Sequence, residues 1–590
     1  MTAITYFGKE ITYAQFFKHI DEAAKALTYA GVSAGDRIMY LMPNIPETAY
    51  LLYGGAKIGA VADYVDPRPD SIDPLVSAQK ILAMFRDEKA KYLIALDQCY
   101  LAMLKPIESE LKEMGVKQIV LVSASDSMGS VTKLNYLWEN LNFNGYRALK
   151  SAMAKAKKVE DLVRKAKQEC LLELIEYKEL VVKSRLTDIT PAKYNPDELA
   201  IIVHTSGTTS SMPKPIPLTH DNMNAYVHQS QQVDIPIGAS SKLLHVLPYF
   251  AAYGVVVIAH SGFCHCANMI QVPEFIPSNL GKLINKYQPN LLFGTPSWYI
   301  PMLHDPVLQN SNLSCLKAVV YGGDSMEIED EIKLNKFLES HHAQCIITKG
   351  HGMSETSGAC SYATDEFNIL GSIGIPFPHT IYAVVDPETK ELMQFTDEQE
   401  YIEGELIISS PAVTPGILDD KEIVPHLVYN GESYILTRDI ARMDRNGLMT
   451  FLSRSDRSFT RFDGYKIKAY EIEALIKAYP GVQYCILSPY YDTGKYGNVA
   501  LADIVLENST KLSRLEQVSF VQELVMQVFT NNLSTSTRQI PAWFRFRDSL
   551  PLTANSKVDY NALSKEALHG DEIEVAIEET NISVDKITVR

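Results

Sequence analysis

The amino-acid sequence predicts an α/β protein: a large N-terminal region of parallel-type α/β units with a small β subdomain, followed by a smaller α/β module. Three observations carry that reading. Helix-period and strand-period apolar patterns alternate from residue 11 onward. Within residues 201–216, IIVHTSGTTSSMPKPI, an apolar, β-branched run ends at Val203 and opens into a loop of Gly, Ser and Thr. Around 370–455 the texture changes to short strands separated by Gly, Pro and Asp turns, as in EGELIIS and ESYILTRDIARMDRNGLMTFLSR.

Residues 11–30 place Phe16, Phe17, Ile20, Ala23, Ala24 and Leu27 at helical spacing, with Gly31 as the C-cap. A strand from Asp36 to Met42, a helix over 44–59 and a strand over 60–65 complete the first parallel-type units. From about Tyr146 to Lys183 the chain is Lys-rich with almost no breakers, which predicts one or two helices laid on the outside as an insertion. A basic amphipathic helix can touch an anionic membrane; a solvated helical face is the preferred reading. Further units follow the loop: strands near 242–247, 290–293, 316–321 and 344–348, helices near 279–286 and 327–340, and an apolar run at 254–259. The expected domains are 1–455, with the β subdomain at 370–455, then 456–570, and an acidic tail at 571–590 with room for a terminal strand.

A chain of 590 residues exceeds one core and predicts two to four domains of roughly 100–200 residues each. Hydrophobic residues at 46% and charged residues at 21% are ordinary for a soluble globular protein. The formal net charge of −16 repels nucleic acid, and no basic run with interleaved aromatics offsets it. Eight cysteines are scattered singly, and Cys264-His265-Cys266 has no second pair to complete a zinc site. Reduced thiols in a cytoplasmic protein fit that pattern. The N-terminus, MTAITYFGKE, lacks the apolar core of a signal peptide, and no stretch reaches the roughly 18 apolar residues of a spanning helix.

The loop at 205–214 has the composition of a phosphate cradle. Gly207 lets backbone amides approach an anion, the hydroxyls of Thr205, Ser206, Thr208 and Thr209 donate hydrogen bonds, and Lys214 adds a point charge. A nucleotide-triphosphatase loop wants Gly before its Lys and Ser or Thr after it. Lys214 lies between Pro213 and Pro215, so that reading fails. For the loop alone, a polar turn between two strands is the plain alternative.

Seven stretches occur in order: HTSGTTSSMPKP (204–215), LPYFAAYG (247–254), YGGDSM (321–326), GHGMSET (350–356), YILTRD (434–439), LSRSDRSFTRFDGYKIKAYEIE (452–473) and PLTANSKVD (551–559). With them the chain resembles the acyl-adenylate-forming superfamily, which includes acyl-CoA synthetases, nonribosomal-peptide adenylation domains and luciferases. The resemblance covers nearly the whole chain, with 146–183 the clearest departure. It implies that a carboxylate attacks the α-phosphate of MgATP to give an acyl-adenylate and pyrophosphate, and that a thiol, commonly CoA, then takes the acyl group. Both reactants of the first step are anions, so positive charge and in-line positioning do most of the work.

Residue by residue, the resemblance implies that Lys557 is a mobile catalytic lysine bridging carboxylate and phosphate oxygens. Glu355 matches a magnesium-binding glutamate, a role that suits a hard carboxylate. Asp439 matches the acid that takes both ribose hydroxyls, and Arg454 an arginine on ribose or phosphate. Gly322, Gly323 and Asp324 lie along the adenine, and His351 stands where a tyrosine usually stacks on it, in a nucleotide motif with Gly352, Met353 and Ser354. Asp456 falls at the hinge before a small mobile C-terminal domain, and Gly464 on the loop that faces the site for thioester formation. Several positions depart from the pattern: Ser210 and one extra residue in the phosphate loop, Arg438 and Ser556 in place of glycines, and one extra residue between the hinge and Gly464. None removes a required charge.

LPYFAAYG bears on the acid. Many acyl-CoA synthetases carry a His at the position of Ala251, and amino-acid-activating domains an Asp that pairs with the α-ammonium. Ala251 does neither, so a free amino acid would leave its ammonium buried and unpaired. An apolar acid, aliphatic or aromatic, follows by elimination, with Tyr249, Phe250 and Tyr253 nearby. Two alternatives stay open: an adenylating enzyme that loads a separate carrier protein, and a non-catalytic nucleotide- or acyl-binding regulator. No carrier segment of the Gly-Gly-x-Ser type follows in the sequence, and the intact set of Lys214, Glu355, Asp439, Arg454 and Lys557 weighs against the regulator.

Overall fold

The computed structural model describes residues 1–68, 74–128, 170–205, 212–273, 275–326, 328–364, 366–454, 457–460, 466–492, 497–507, 511–530, 539–552, 558–579 and 584–589. Contacts divide the chain into two compact units. The first holds Met1–Ser206, Met212–Tyr382 and Ile407–Leu436; the second includes Ala383–Leu406 and Thr437–Arg590. The expected boundary at 455/456 falls inside the second unit.

Two seven-stranded sheets build the first unit. One runs, edge to edge, Glu173–Glu176, Gln118–Val122, Tyr92–Leu96, Arg37–Leu41, Val61–Tyr64, Leu199–His204 and Pro215–Thr219. All its pairs are parallel except the last. The other runs Ile347–Lys349, Ala318–Tyr321, Leu291–Gly294, Lys242–His245, Asn268–Gln271, Thr2–Tyr6 and Lys9–Thr12, again parallel except at the final pair. Parallel strands are covered on both faces, which is why they read as continuous apolar runs: Ile38, Met39, Tyr40 and Leu41 are each at most 1% exposed.

The first helix, Tyr13–Tyr29, starts on a capping box in which Thr12 and Gln15 satisfy each other's backbone. It ends as the sequence predicts. Gly31 takes φ +94°, its N–H donates to Thr28 O, and Val32 N–H donates to Leu27 O, closing the last turn. Phe16, Ile20, Ala23, Ala24 and Leu27 are buried, but Phe17 is 61% exposed and lies off the stripe. The helix Pro46–Lys57 packs against this one so closely that a Cβ at Gly54 would stand 2.7 Å from Ala23 Cβ.

Two sequence expectations need correction. The 146–183 stretch was expected to be helical; 146–169 lies outside the described residues, Tyr177–Lys183 is a helix, but Glu173–Glu176 is a strand. That strand pairs in parallel with Gln118–Val122 and buries Ile175 to 4% exposure, so sheet pairing overrides local helix propensity there. The acidic tail at 571–590 holds the terminal strand it had room for, Val584–Val589, but also a second one, Ile573–Glu579, and both join the sheet of the second unit instead of standing apart from it. The apolar run at 254–259 lies in a helix of π type, Tyr253–His260.

In the second unit, Val482–Asp492, Gly497–Leu506, Trp543–Arg547, Ile573–Glu579 and Val584–Val589 form a five-stranded sheet in sequence order. Ala469–Lys477 and Arg514–Leu524 cover it with Ile472, Ile476, Val521 and Leu524, which join Leu487, Ile504 and Phe544 in one core. Fully buried Asp503 accepts from Arg545 Nε at 2.6 Å and Arg547 Nε at 2.5 Å.

Glu47 sits in the first turn of Pro46–Lys57, 3% exposed, with one carboxyl oxygen accepting from Ser127 Oγ at 2.5 Å and the other without a partner. Burial pushes its pKa up to about 7 despite the Ser127 hydrogen bond. The folded state therefore holds this proton more tightly than the unfolded chain, and the stability it contributes at acid pH is lost as pH rises from about 4.5 through 7. Glu47→Gln is expected to stabilise the protein at pH 8 by on the order of 2 kcal/mol, read as a higher thermal midpoint, and to leave the midpoint nearly unchanged at pH 5. Melting curves of the two proteins across that range check this.

Candidate functional site

The phosphate-loop stretch joins two antiparallel strands, Leu199–His204 and Pro215–Thr219, whose last paired residues are His204 and Pro215. Its ends clasp each other: Thr205 N–H donates to Lys214 O at 3.0 Å, and Lys214 N–H donates to Thr205 Oγ1 at 3.2 Å. Ser206, Gly207, Thr208 and Thr209 lie outside the described residues.

Three parallel strands of the second sheet, Lys242–His245, Ala318–Tyr321 and Ile347–Lys349, deliver the next motifs from their carboxyl ends. Gly322 follows Ala318–Tyr321, and Gly350 follows Ile347–Lys349. Gly322 N–H donates to Gly294 O at 3.0 Å and Gly350 N–H to Tyr321 O at 2.9 Å, so the ladder continues into the turns. A Cβ at Gly322 would come 3.0 Å from Gly350 O and 3.5 Å from the Tyr253 ring. LPYFAAYG, YGGDSM and GHGMSET thus meet at one place. Gly323 and Asp324 are exposed, and Asp324 Oδ1 accepts from Ser325 N–H at 2.9 Å.

Gly352 is held by backbone packing, since a Cβ there would stand 2.4 Å from Ala359 Cα. The neighbouring His351 ring lies edge-on to Tyr382 at 6.4 Å, and its Nδ1 is 3.6 Å from Cys360 Sγ. Met353 N–H donates to Thr356 Oγ1 at 3.0 Å and opens a short 3-10 turn, Ser354–Thr356. Glu355, in that turn, is 8% exposed, and its carbonyl accepts from Thr414 N–H at 2.8 Å.

The residues expected around the acid separate into two groups. Tyr249 is fully buried: its hydroxyl accepts from Gln271 Nε2 at 3.0 Å, and its ring lies 5.0 Å from His245 and 6.0 Å from Tyr64. It belongs to the closed interior, because it has no surface left to offer a ligand. Burial holds His245 neutral there, with its pKa lowered to about 3. Phe250 is 6% exposed under the Arg68 guanidinium, 4.9 Å from its ring centre. Ala251 and Tyr253 keep accessible surface.

In the second unit, Asp439 and Arg454 face each other across an antiparallel pair, with Nη1 of Arg454 donating to Oδ1 of Asp439 at 2.8 Å. Asp439 is 5% exposed, and its N–H donates to Thr437 Oγ1, which itself donates to Leu406 O. Arg438 between them takes φ +62°, a left-handed conformation, and its N–H donates to Glu405 Oε1 at 3.0 Å. Asp456, Gly464 and Lys557 lie outside the described residues; Leu552 and Val558 form an antiparallel bridge.

The AMP-binding enzyme family model matches residues 1–418, more than two thirds of the chain. The chain belongs to the AMP-binding enzyme family. It is 26% identical over 563 residues to a long-chain-fatty-acid–CoA ligase of Bacillus subtilis (strain 168), covering 94% of this chain and 90% of that protein. A probable 4-coumarate–CoA ligase 1 of Dictyostelium discoideum is 23% identical over 529 residues, covering 86% and 84%. Among solved structures, ATP-bound MatB from Rhodopseudomonas palustris superposes with a TM-score of 0.70 at 18% identity, covering 96% of this chain and 95% of that one. A benzoate CoA ligase from Burkholderia xenovorans LB400 gives 0.70 at 18% identity over 96% of both chains. The expected adenylate-forming α/β fold and membership of the superfamily are therefore correct, and the protein is an enzyme of the AMP-forming, acyl-CoA synthetase type. Its family reaction is ATP-dependent formation of an acyl-adenylate followed by transfer of the acyl group to a thiol. Among the described residues no helix is long and apolar enough to cross a membrane.

Sequence reasoning passed over His204, Asp63 and Glu88, whose side chains meet where the strand Leu199–His204 ends, just before Thr205. Only His204 lay inside a recognised motif, and nothing local pointed to its partners. By contrast, Arg438 was marked in the sequence as standing where the AMP-binding pattern has glycine, and its positive φ supplies the reason. A left-handed backbone costs a non-glycine residue roughly 1–2 kcal/mol, part of which glycine's greater unfolded freedom offsets. Arg438→Gly is expected to stabilise the protein by up to about 1 kcal/mol, seen as a higher thermal midpoint without loss of activity.

Proposed function

We propose that this enzyme is an acyl-CoA synthetase for an apolar carboxylic acid, aliphatic or aromatic, with CoA as the acceptor thiol. One observation carries the choice of acid: Ala251, at the position where a charged partner would meet an α-ammonium, retains accessible surface beside Tyr253 and offers no charge. Three of the proteins named above are CoA ligases for a long-chain fatty acid, 4-coumarate and benzoate, none of which carries an ammonium. Their common acceptor, CoA, supports the same choice here.

The roles follow from charge. Thr205 and Lys214, with Ser206, Gly207, Thr208 and Thr209, hold the phosphates, where backbone amides, hydroxyls and one ammonium meet an anion. Gly322, Gly323 and Asp324 lie along the adenine, and His351, Gly352, Met353 and Ser354 continue that wall. Asp439 takes the ribose hydroxyls, and Arg454, already paired to it, holds the carboxylate in place. Lys557 supplies the positive charge shared by the attacking carboxylate and the α-phosphate. Asp456 and Gly464 serve the change between the two half-reactions. Glu355 fits Mg²⁺: one buried carboxylate leaves the other coordination positions to water and phosphate oxygens, the usual division of ligands for this ion. When bound, the ion would neutralise phosphate charge. The absence of a spanning helix among the described residues is in keeping with a cytoplasmic enzyme.

Pyrophosphate release from MgATP across a panel of carboxylic acids, with and without CoA, tests the reading. Release is expected with apolar acids and not with free amino acids, with CoA converted to thioester. Acid-dependent release without CoA product, stimulated by a carrier protein, would replace CoA as the acceptor. Lys557→Ala is expected to slow adenylation by about 10²–10³-fold while the melting curve stays unchanged; wild-type activity in that variant would remove the role assigned to Lys557.

A further inference from the structure

The strand that leads into the phosphate loop ends in a side chain that the family reaction does not use. His204 closes Leu199–His204, and its side chain is 6% exposed. Nδ1 lies 2.8 Å from Tyr64 O. A carbonyl only accepts, so Nδ1 carries the hydrogen. Nε2 lies 3.0 and 3.1 Å from the two carboxyl oxygens of Glu88 and 3.9 Å from Asp63 Oδ1. Side-chain exposure is 4% for Glu88 and 0% for Asp63. The partners come from separate elements. Asp63 lies on Val61–Tyr64, in parallel register with Ile202, and Glu88 directly follows the helix Pro74–Asp87, its N–H donating to Met84 O at 2.9 Å.

Two carboxyls and an imidazole cannot all be charged in a closed space at low cost. The arrangement with no net charge has a His204 imidazolium donating to an ionised Glu88, and Asp63 carrying a proton. Burial lowers the proton affinity of His204, but its hydrogen bond to Glu88 and the charges of Glu88 and Asp63 outweigh this and raise the pKa to about 9. Burial, and then the Glu88 charge, push Asp63 well above the usual carboxylate range. The other charged group that faces Asp63 is Arg37, whose guanidinium donates to Glu88 O at 2.6 Å and pairs with Asp419; Lys89 also reaches Asp419, at 3.3 Å.

One residue further on, Thr205 and Lys214 clasp the two ends of the loop. We propose that the His204–Glu88 ion pair, with Asp63 behind it, is a clamp that fixes where the phosphate loop leaves the sheet, making His204 and Glu88 positioning residues for ATP. This rests on the reading of 205–214 as phosphate-binding. The three ligand atoms also lie within 4.8 Å of one another, close enough for a divalent cation; the direct Nε2 to Glu88 hydrogen bond favours the ion pair.

The test compares wild type, His204→Leu, Glu88→Gln, Asp63→Asn and Lys214→Ala for pyrophosphate release against ATP concentration, from about pH 6.5 to 10. Melting curves and elemental analysis for zinc accompany each protein. In His204→Leu and Glu88→Gln, KM for ATP is expected to rise about tenfold with kcat within about threefold, the signature of lost positioning. Wild-type KM should climb as pH passes about 9 and the imidazolium loses its proton; that climb should vanish in His204→Leu and move to lower pH in Glu88→Gln. Asp63→Asn should be nearly silent, because a neutral amide of the same shape replaces a neutral carboxyl. Wild-type KM and pH profile in His204→Leu, while Lys214→Ala raises KM, would overturn the clamp. No change in Lys214→Ala would instead remove the phosphate-loop reading beneath it. One equivalent of zinc in wild type, lost in His204→Leu, would also overturn the clamp by making the cluster a metal site. Should His204→Leu fail to fold, Glu88→Gln decides by the same criteria, since it keeps shape and removes only the charge.

Discussion

Parallel strands covered on both faces can open only at their ends, and the motif-bearing turns of the first unit obey that constraint. Lys242–His245, Leu291–Gly294, Ala318–Tyr321 and Ile347–Lys349 lie side by side and point the same way. LPYFAAYG, YGGDSM and GHGMSET all start at or just beyond carboxyl ends in that sheet. Residues far apart in sequence, such as Tyr253, Gly322 and Gly350, become neighbours because the register of the strands holds them there. The stretch proposed to bind phosphate starts by the same rule in the other sheet, where Leu199–His204 is the last strand of the parallel run.

The same ends are where buried charge accumulates, and it is neutralised locally. Lys349, the residue before Gly350, is 3% exposed, and its ammonium donates to both carboxyl oxygens of Glu331 at 2.9 Å while Tyr321 also donates to that carboxylate. Burial lowers the Lys349 pKa against the opposing pull of Glu331. His204 with Glu88, at another strand end, repeats the pattern. Removing one partner of such a pair costs far more than the pair itself contributes, because it strands a charge away from water.

How much of this was legible in the sequence depended on whether the determinant was local. The helix end at Gly31, the alternation of strands and helices, and the glycines that permit backbone contact at 322 and 352 all declare themselves within a few residues. Glu173–Glu176 did not, since only the edge of a distant strand makes it extended. Val584–Val589 had a local apolar signal, but Ile573–Glu579 becomes a strand only because pairing of Glu574 with Trp543 draws it into a sheet. Tyr249 shows the limit within the site itself: its aromatic character was plain, but its closure by Gln271, His245 and Tyr64 comes from three separate segments. The Asp63, Glu88 and His204 cluster is of the same kind, assembled by strand register from positions that carry no shared signature.

Glu173–Glu176 has one further consequence. It borders a single neighbour, Gln118–Val122, and the chain between the two strands enters and leaves at the outer edge of the sheet, remote in strand order from the strand that carries the phosphate loop. A margin of that kind tolerates growth: length gained or lost there leaves the register of the inner strands unchanged. It is the natural place for this enzyme to diversify, and a natural port at which to graft a reporter or tether onto it.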